Sequence, residues 1–115
     1  MAIRLERTHD KSTGEGYRVL VDRLWPRGVS RDALKIDEWL KEVAPSSQLR
    51  KDFHNGEVSW DEFRRSYLME LKDHRESLRA LAERAGKETV ILLYSSKDEE
   101  HNNAMVLKQY LNMLK

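Results

Sequence analysis

Apolar and polar positions alternate with a period of two over residues 2–7, where Ile3 and Leu5 share one face and Arg4 and Glu6 the other. That is the pattern of a short strand. Residues 8–16 are polar and include Gly14 and Gly16, which predicts a loop. The loop is short for a parallel crossover, so the direction of the first strand stays open. A second strand is predicted over 17–23. Its Val19-Leu20-Val21 centre suits burial on both faces, and Pro26 and Gly28 end it.

The period then changes. Ser30 is placed to cap a helix through about residue 42, with Leu34, Ile36, Trp39, Leu40 and Val43 as its approximate stripe and Pro45 closing it. Ser46 or Ser47 caps a further short helix carrying Leu49 and Phe53 and ending at His54-Asn55-Gly56. Ser59-Trp60-Asp61-Glu62 has the S-x-x-E capping-box pattern, and Val58 and Phe63 occupy hydrophobic-staple positions. From Phe63 through Tyr67, Leu71, Leu78, Leu81, Ala82 and Ala85, apolar residues recur at helical steps up to Gly86. They define one long helix, or two with a break between 73 and 77. Residues 89–94 (TVILLY) are apolar on both faces and predict a central strand. Ser96-Lys97-Asp98-Glu99 repeats the capping-box pattern and predicts the start of a last helix, whose inward stripe is Ala104, Leu107, Leu111 and Leu114.

These elements predict one α/β domain over residues 1–115. It has a small sheet of about three strands, at least two of them parallel, packed with four to five helices in the order β-β-α-α-α-β-α. Strands two and three are joined by a helical crossover, so they should run parallel and release their C-terminal ends at one edge.

Composition narrows the function classes. At 115 residues the chain suits one domain, and about two-thirds of its unfolded surface is buried on folding at this size. It has no cysteine, which excludes disulfides, thiolate nucleophiles and thiolate zinc sites. The start MAIRLERTHD has no apolar signal core, and no apolar run approaches the roughly 18 residues that span a bilayer, so a cytoplasmic protein without membrane contact is expected. Twenty-one Lys/Arg against 20 Asp/Glu leave a net charge of +1, which does not favour a nucleic-acid partner held by bulk charge.

The parallel pairing would bring Asp22, Arg23, Trp25 and Arg27 close to Ser95, Ser96, Lys97, Asp98 and His101. Arginines, a lysine and the start of a helix facing one cleft suit a phosphate or carboxylate. In that reading Arg23, Arg27 and Lys97 hold the anion, Trp25 walls the pocket, and Ser95 and Ser96 add hydroxyls. Asp22 and His101 would handle protons as the catalytic pair. Lys41 and Arg50 either reach the same cleft or decorate helices. Each has a plainer reading: Asp22 and Arg23 as backbone caps, Trp25-Pro26 as a packing plug, His101 as an exposed capping residue. No H-x-x-x-H or carboxylate cluster points to a metal, and no G-x-G-x-x-G, P-loop or G-x-S-x-G points to a cofactor or a serine nucleophile. Met105, Val106, Tyr110 and Met113 beside the stripe of the last helix offer a homodimer contact.

YRVLVDRLWPRG, WLKEVAPSSQLRKDF, WDEFRRSYLMEL and ILLYSSKDEEHNNAMVL together resemble the YeaO-like family of bacterial proteins over nearly the whole chain. The resemblance implies a small α/β domain with no agreed substrate. Its hallmark segments fall on Asp22 to Gly28, on Trp39, Lys41, Pro45 and Ser46, and on Tyr94, Lys97, His101 and Asn102, which adds Asn102 to the ligand-binding set. Longer, more distant relatives often carry a cysteine near the position of Asn102; this chain has none, so no thiol mechanism carries over. Two functions stay open: an enzyme on a small phosphorylated or nucleotide-like anion, or a non-catalytic module for a nucleic-acid end or acidic partner segment.

Overall fold

The computed structural model describes residues 2–10 and 15–114. In chain order the strands and helices are β1 (Ile3–Arg7), β2 (Tyr17–Leu20), α1 (Arg31–Leu34), β3 (Glu38–Trp39), α2 (Ser47–His54), α3 (Trp60–Leu71), α4 (Arg75–Ala85), β4 (Val90–Tyr94) and α5 (Asn103–Met113). Single 3-10 turns lie at Lys41–Val43 and Lys72–His74. The strand order is β1-β4-β2-β3, and every pairing is parallel.

All five residues of β4 are buried, as an uninterrupted apolar run in the middle of a parallel sheet requires. Val90, Leu92 and Tyr94 face the main core with Val19 and Val21, against Tyr67 and Leu71 of α3, Leu78 of α4, and Leu107 and Leu111 of α5. Ile91 and Leu93 face the other way with Leu20 and Leu34, under Trp25, Val29, Ile36 and Trp39. On that second face Arg18 of β2 reaches across β4 to Glu6 of β1 at 3.3 Å, and its Nε donates to the Leu34 carbonyl at 3.0 Å. Both members of the ion pair are almost fully removed from solvent.

Several expectations are borne out. The two strands over 17–23 and 89–94 pair in parallel, with Tyr17 opposite Val90 and Leu20 opposite Leu93. Ser46 caps α2, and the Ser59/Glu62 capping box is complete at α3. The region from 60 to 85 is two helices, broken at Lys72–His74 within a turn of the expected place.

Others are corrected. The sheet has four strands rather than three. The helix expected from Ser30 to about residue 42 is a single turn, capped by Ser30 as expected but ended at Lys35, whose φ of 49° is left-handed. The chain then lays down β3, with Asp37 N–H donating to the Arg18 carbonyl and Leu40 N–H to the Leu20 carbonyl, and a 3-10 turn follows. Sheet hydrogen bonds that no local signal encodes win over a helical spacing that was only approximate. The element order becomes β-β-α-β-α-α-α-β-α. The first strand, left open in direction, is parallel because it pairs with β4 and not with its sequence neighbour. The loop expected over 8–16 includes residues 11–14, which lie outside the described residues.

The last helix does not begin at Ser96. Its N-cap is Asn102, whose Oδ1 accepts from Met105 N–H at 2.8 Å, while residues 95–101 form a loop. In that loop Ser96 Oγ accepts from Asp98 N–H instead of the third helical residue, and Asp98 Oδ1 accepts from the N–H groups of Glu100 and His101. Val106 and Tyr110, expected to offer a homodimer contact, are buried in the main core. Met113 stays exposed.

Candidate functional site

A cleft of about 820 Å³ opens at the C-terminal edge of the sheet. One wall is Asp22 to Arg27, released from β2; the opposite wall is Ser95 to Asp98 with His101, Asn102 and Asn103; Ala44, Pro45, Arg50, Phe53, His54 and Phe63 form the floor and far side. Parallel β2 and β4 therefore empty into one mouth, the arrangement that open α/β sheets offer to ligands.

Asp22 ties the two strand exits together. Its Oδ2 accepts the N–H of Ser95 at 2.8 Å and its Oδ1 accepts the Asn103 side-chain amide at 2.9 Å. The Asp22 carbonyl also accepts Trp39 Nε1–H at 2.7 Å. Both carboxylate oxygens are thus committed to fixed donors.

Arg23 is half-buried. Its Nε donates to the Pro45 carbonyl and its Nη2 to the Ala44 and Pro45 carbonyls, at 3.2 to 3.4 Å. Backbone carbonyls orient this guanidinium without neutralising it. The side chains of Arg27, Arg50 and Lys97 are exposed at the rim. Among the described residues none of these four cations sits in an ion pair.

Trp25 is half-buried, its indole N–H held by the Val29 carbonyl at 2.6 Å and its ring edge-on to Trp39, with centroids 5.5 Å apart. It lines the cleft as a packed wall. Phe53, Phe63, Trp60 and His101 form a staircase of near-parallel rings, with steps of 4.5, 5.7 and 4.7 Å. His101 lies on the outer face of Trp60 and 3.9 Å from the Asp98 carboxylate. It precedes the N-cap of α5 and so is not in the first helical turn, where the sequence places it. The N–H groups of His101 and Glu100 hold the Asp98 carboxyl below the usual carboxylate range. Asn102 is 2% exposed, and its amide bonds the Met105 N–H and the Asp98 carbonyl, so it shapes the loop from below.

Lys41 is not on the cleft. It is not among the lining residues, and its ammonium lies over the Trp39 ring, 4.6 Å from the centroid.

Two residues that brace the walls of the site without lining it carry no ligand-site motif in the sequence. Thr8, at the exit of β1, is buried; its Oγ1 lies 3.3 Å from Ser95 Oγ and 3.1 Å from His9 Nδ1. His9 Nε2 in turn lies 3.0 Å from the Arg27 carbonyl. This chain of polar contacts links the end of β1 to both walls. The available signal was the Thr-His pair closing an alternating strand, which gains meaning only once β1 is known to run parallel to β4.

No cluster of three or more histidine or acidic side chains that would hold a metal ion occurs among the described residues. No helix among them is long and apolar enough to cross a membrane.

Fold and site together define a small α/β protein with an all-parallel four-stranded sheet and a cleft at its C-terminal edge. Over residues 2–114 the chain matches the DUF488-N3i family, described as the inactive DUF488-N3 subclade, and it belongs to that family. It is similar to the uncharacterised protein YeaO of Escherichia coli strain K12, with 45% identity over 115 residues, covering 99% of this chain and 100% of that protein. It is also similar to the uncharacterised protein Rv3073c of Mycobacterium tuberculosis strain H37Rv, with 36% identity over 111 residues, 96% of this chain and 93% of that protein. No solved structure matches the chain.

Proposed function

We propose that the cleft binds a small phosphorylated or nucleotide-like anion and holds it without chemical turnover. The observation that carries this reading is the cation set: Arg23, Arg27, Arg50 and Lys97 line one cleft, and among the described residues no carboxylate pairs with any of them. Against them the cleft presents Asp22 and Asp98, and each Asp22 oxygen already accepts from a fixed donor. The apolar surface of Phe53, Phe63 and Trp25 offers a wall for a planar body beside the anion.

The chemistry of proton transfer is poorly served. Each oxygen of the Asp22 carboxylate already accepts from a fixed donor, Ser95 N–H or the Asn103 amide, which orients it as a structural acceptor, and the His101 ring is stacked on Trp60. The absence of cysteine and the family's description as an inactive subclade support the same conclusion.

The test is calorimetric titration with AMP, GMP, inorganic phosphate and a short single-stranded oligonucleotide. A nucleoside monophosphate should bind more tightly than phosphate and stay intact. Its affinity should fall about ten- to a hundredfold in Arg27→Ala, the effect of losing one charge-assisted contact of about 1.5–3 kcal/mol. The exposed Arg27 side chain makes no packing contact that the fold needs, so the melting temperature of that variant should not move. Equal affinity in wild type and variant overturns the proposal. Preferential, steeply salt-dependent binding of the oligonucleotide would instead support the nucleic-acid-end reading.

A further inference from the structure

β1 closes one side of the sheet, and no strand lies outside it among the described residues. Its pairing with β4 uses the backbone groups of alternate residues: the Ala2 carbonyl accepts from Val90 N–H, and Thr8 N–H donates to the Tyr94 carbonyl. By that alternation Ile3, Leu5 and Arg7 turn their N–H and C=O groups away from β4. Of these outward groups, the Arg7 carbonyl is taken by the Asp10 N–H in a turn.

Exposed edges invite pairing, and charged side chains normally discourage it. In β1 the charges are arranged differently. Arg4 and Glu6 have opposite sign, lie two residues apart and so share one face, with Leu5 between them.

We propose that the β1 edge pairs antiparallel with the same edge of a second copy of this chain, Leu5 lying on the two-fold axis. In that register Leu5 meets the partner's Leu5 as a hydrogen-bonded pair, because both present outward backbone groups. Arg4 falls opposite the partner's Glu6 in the non-hydrogen-bonded position, where Cα atoms approach to about 4.5 Å and side chains interact most closely. The symmetry repeats that pair on the other side of the axis, as a self-complementary interface must. Glu6 Oε1 receives Arg18 from within the sheet, and the partner's Arg4 approaches the same carboxylate from outside. The product is one continuous eight-stranded sheet with a cleft at each end, and neither cleft depends on the contact. This differs from a contact through α5, whose Val106 and Tyr110 are buried within the chain.

Sedimentation equilibrium on the full chain at high micromolar concentration tests the oligomeric state, and hydrogen exchange at low and high concentration tests the place. Wild type should be dimeric, with the Leu5 amide slowing in exchange as concentration rises while the Arg4 amide, bonded to β4 in either state, does not change. Arg4→Glu places like charges opposite each other twice and should raise the dimer dissociation constant about tenfold or more. Arg4 is exposed, and circular dichroism of the variant checks that the monomer still folds. Wild type that stays monomeric, a Leu5 amide indifferent to concentration, or a dimer unaffected by Arg4→Glu each overturns the proposal.

Discussion

The carboxylate of Asp22 accepts the backbone N–H of Ser95 at 2.8 Å, so the exit of one strand is fastened to the exit of its neighbour across the mouth of the cleft. Residues 73 positions apart are joined by one side chain, and the Asn103 amide on the other oxygen draws the start of α5 into the same knot.

This knot predicts a stability phenotype at Asp22. Asp22→Ala leaves the Ser95 N–H without its acceptor and the Asn103 amide with only the Val21 carbonyl, and hydrogen bonds to charged groups contribute about 1.5–3 kcal/mol each. The variant should lose at least about 2 kcal/mol in urea unfolding, with the slope against denaturant unchanged. Full stability in Asp22→Ala would show that the strand exits do not rely on this carboxylate.

Tyr67 offers a second measurement. Its side chain is fully buried and its hydroxyl donates to the Val43 carbonyl at 2.6 Å, holding the 3-10 turn beneath the cleft. Burial, then the nearby Asp22 and Glu70 carboxylates, push its phenol well above the ordinary tyrosine value. The unfolded chain ionises near pH 10, so the folded state is favoured below that pH and loses ground as pH rises beyond it. Stability should therefore fall on the alkaline side in wild type, and part of that slope should vanish in Tyr67→Phe. At neutral pH the substitution should cost about 1 kcal/mol through the stranded Val43 carbonyl. Identical alkaline profiles for the two proteins would count against the buried phenol.

Lys35 gives a gain rather than a loss. It ends α1 in the left-handed conformation, where a side chain is disfavoured and glycine is the usual occupant. Lys35→Gly should raise the unfolding free energy by up to about 1 kcal/mol, read as a higher midpoint in thermal or urea unfolding. A lower midpoint would mean that the lysine side chain contributes more than its backbone costs.

The same residue explains what the sequence hid. Leu34, Ile36, Trp39, Leu40 and Val43 approximate a helical stripe, and no glycine or proline between 31 and 44 announces a stop. The chain leaves the helix at Lys35 because β2 offers an unpaired edge to Glu38 and Trp39. Such an opportunity exists only in three dimensions. The two S-x-x-E tetrads make a parallel case. Ser59 caps a helix because Trp60 and Phe63 are drawn into the core behind it, whereas Ser96 is followed by four exposed residues, Lys97 to Glu100, and has no apolar stripe to start. Where burial was written locally, as in the apolar runs of β2 and β4, direction and adjacency could be inferred, and with them the shared mouth of the cleft. Thr8 and His9 carry no local signal of a role at the cleft, because that role depends on which strand β1 takes as its neighbour.

Arg18 and Glu6 meet over the top of β4, so the first strand of the chain and the second are strapped together across a third that is synthesised much later. If the leading segment peeled away, the Arg18 guanidinium would lose the Glu6 carboxylate while its Nε stayed tied to the Leu34 carbonyl, a cost beyond ordinary fraying at a chain end. The opening residues are therefore bound into the cooperative unit. Shortening the protein from its amino terminus should abolish the whole fold and not trim it.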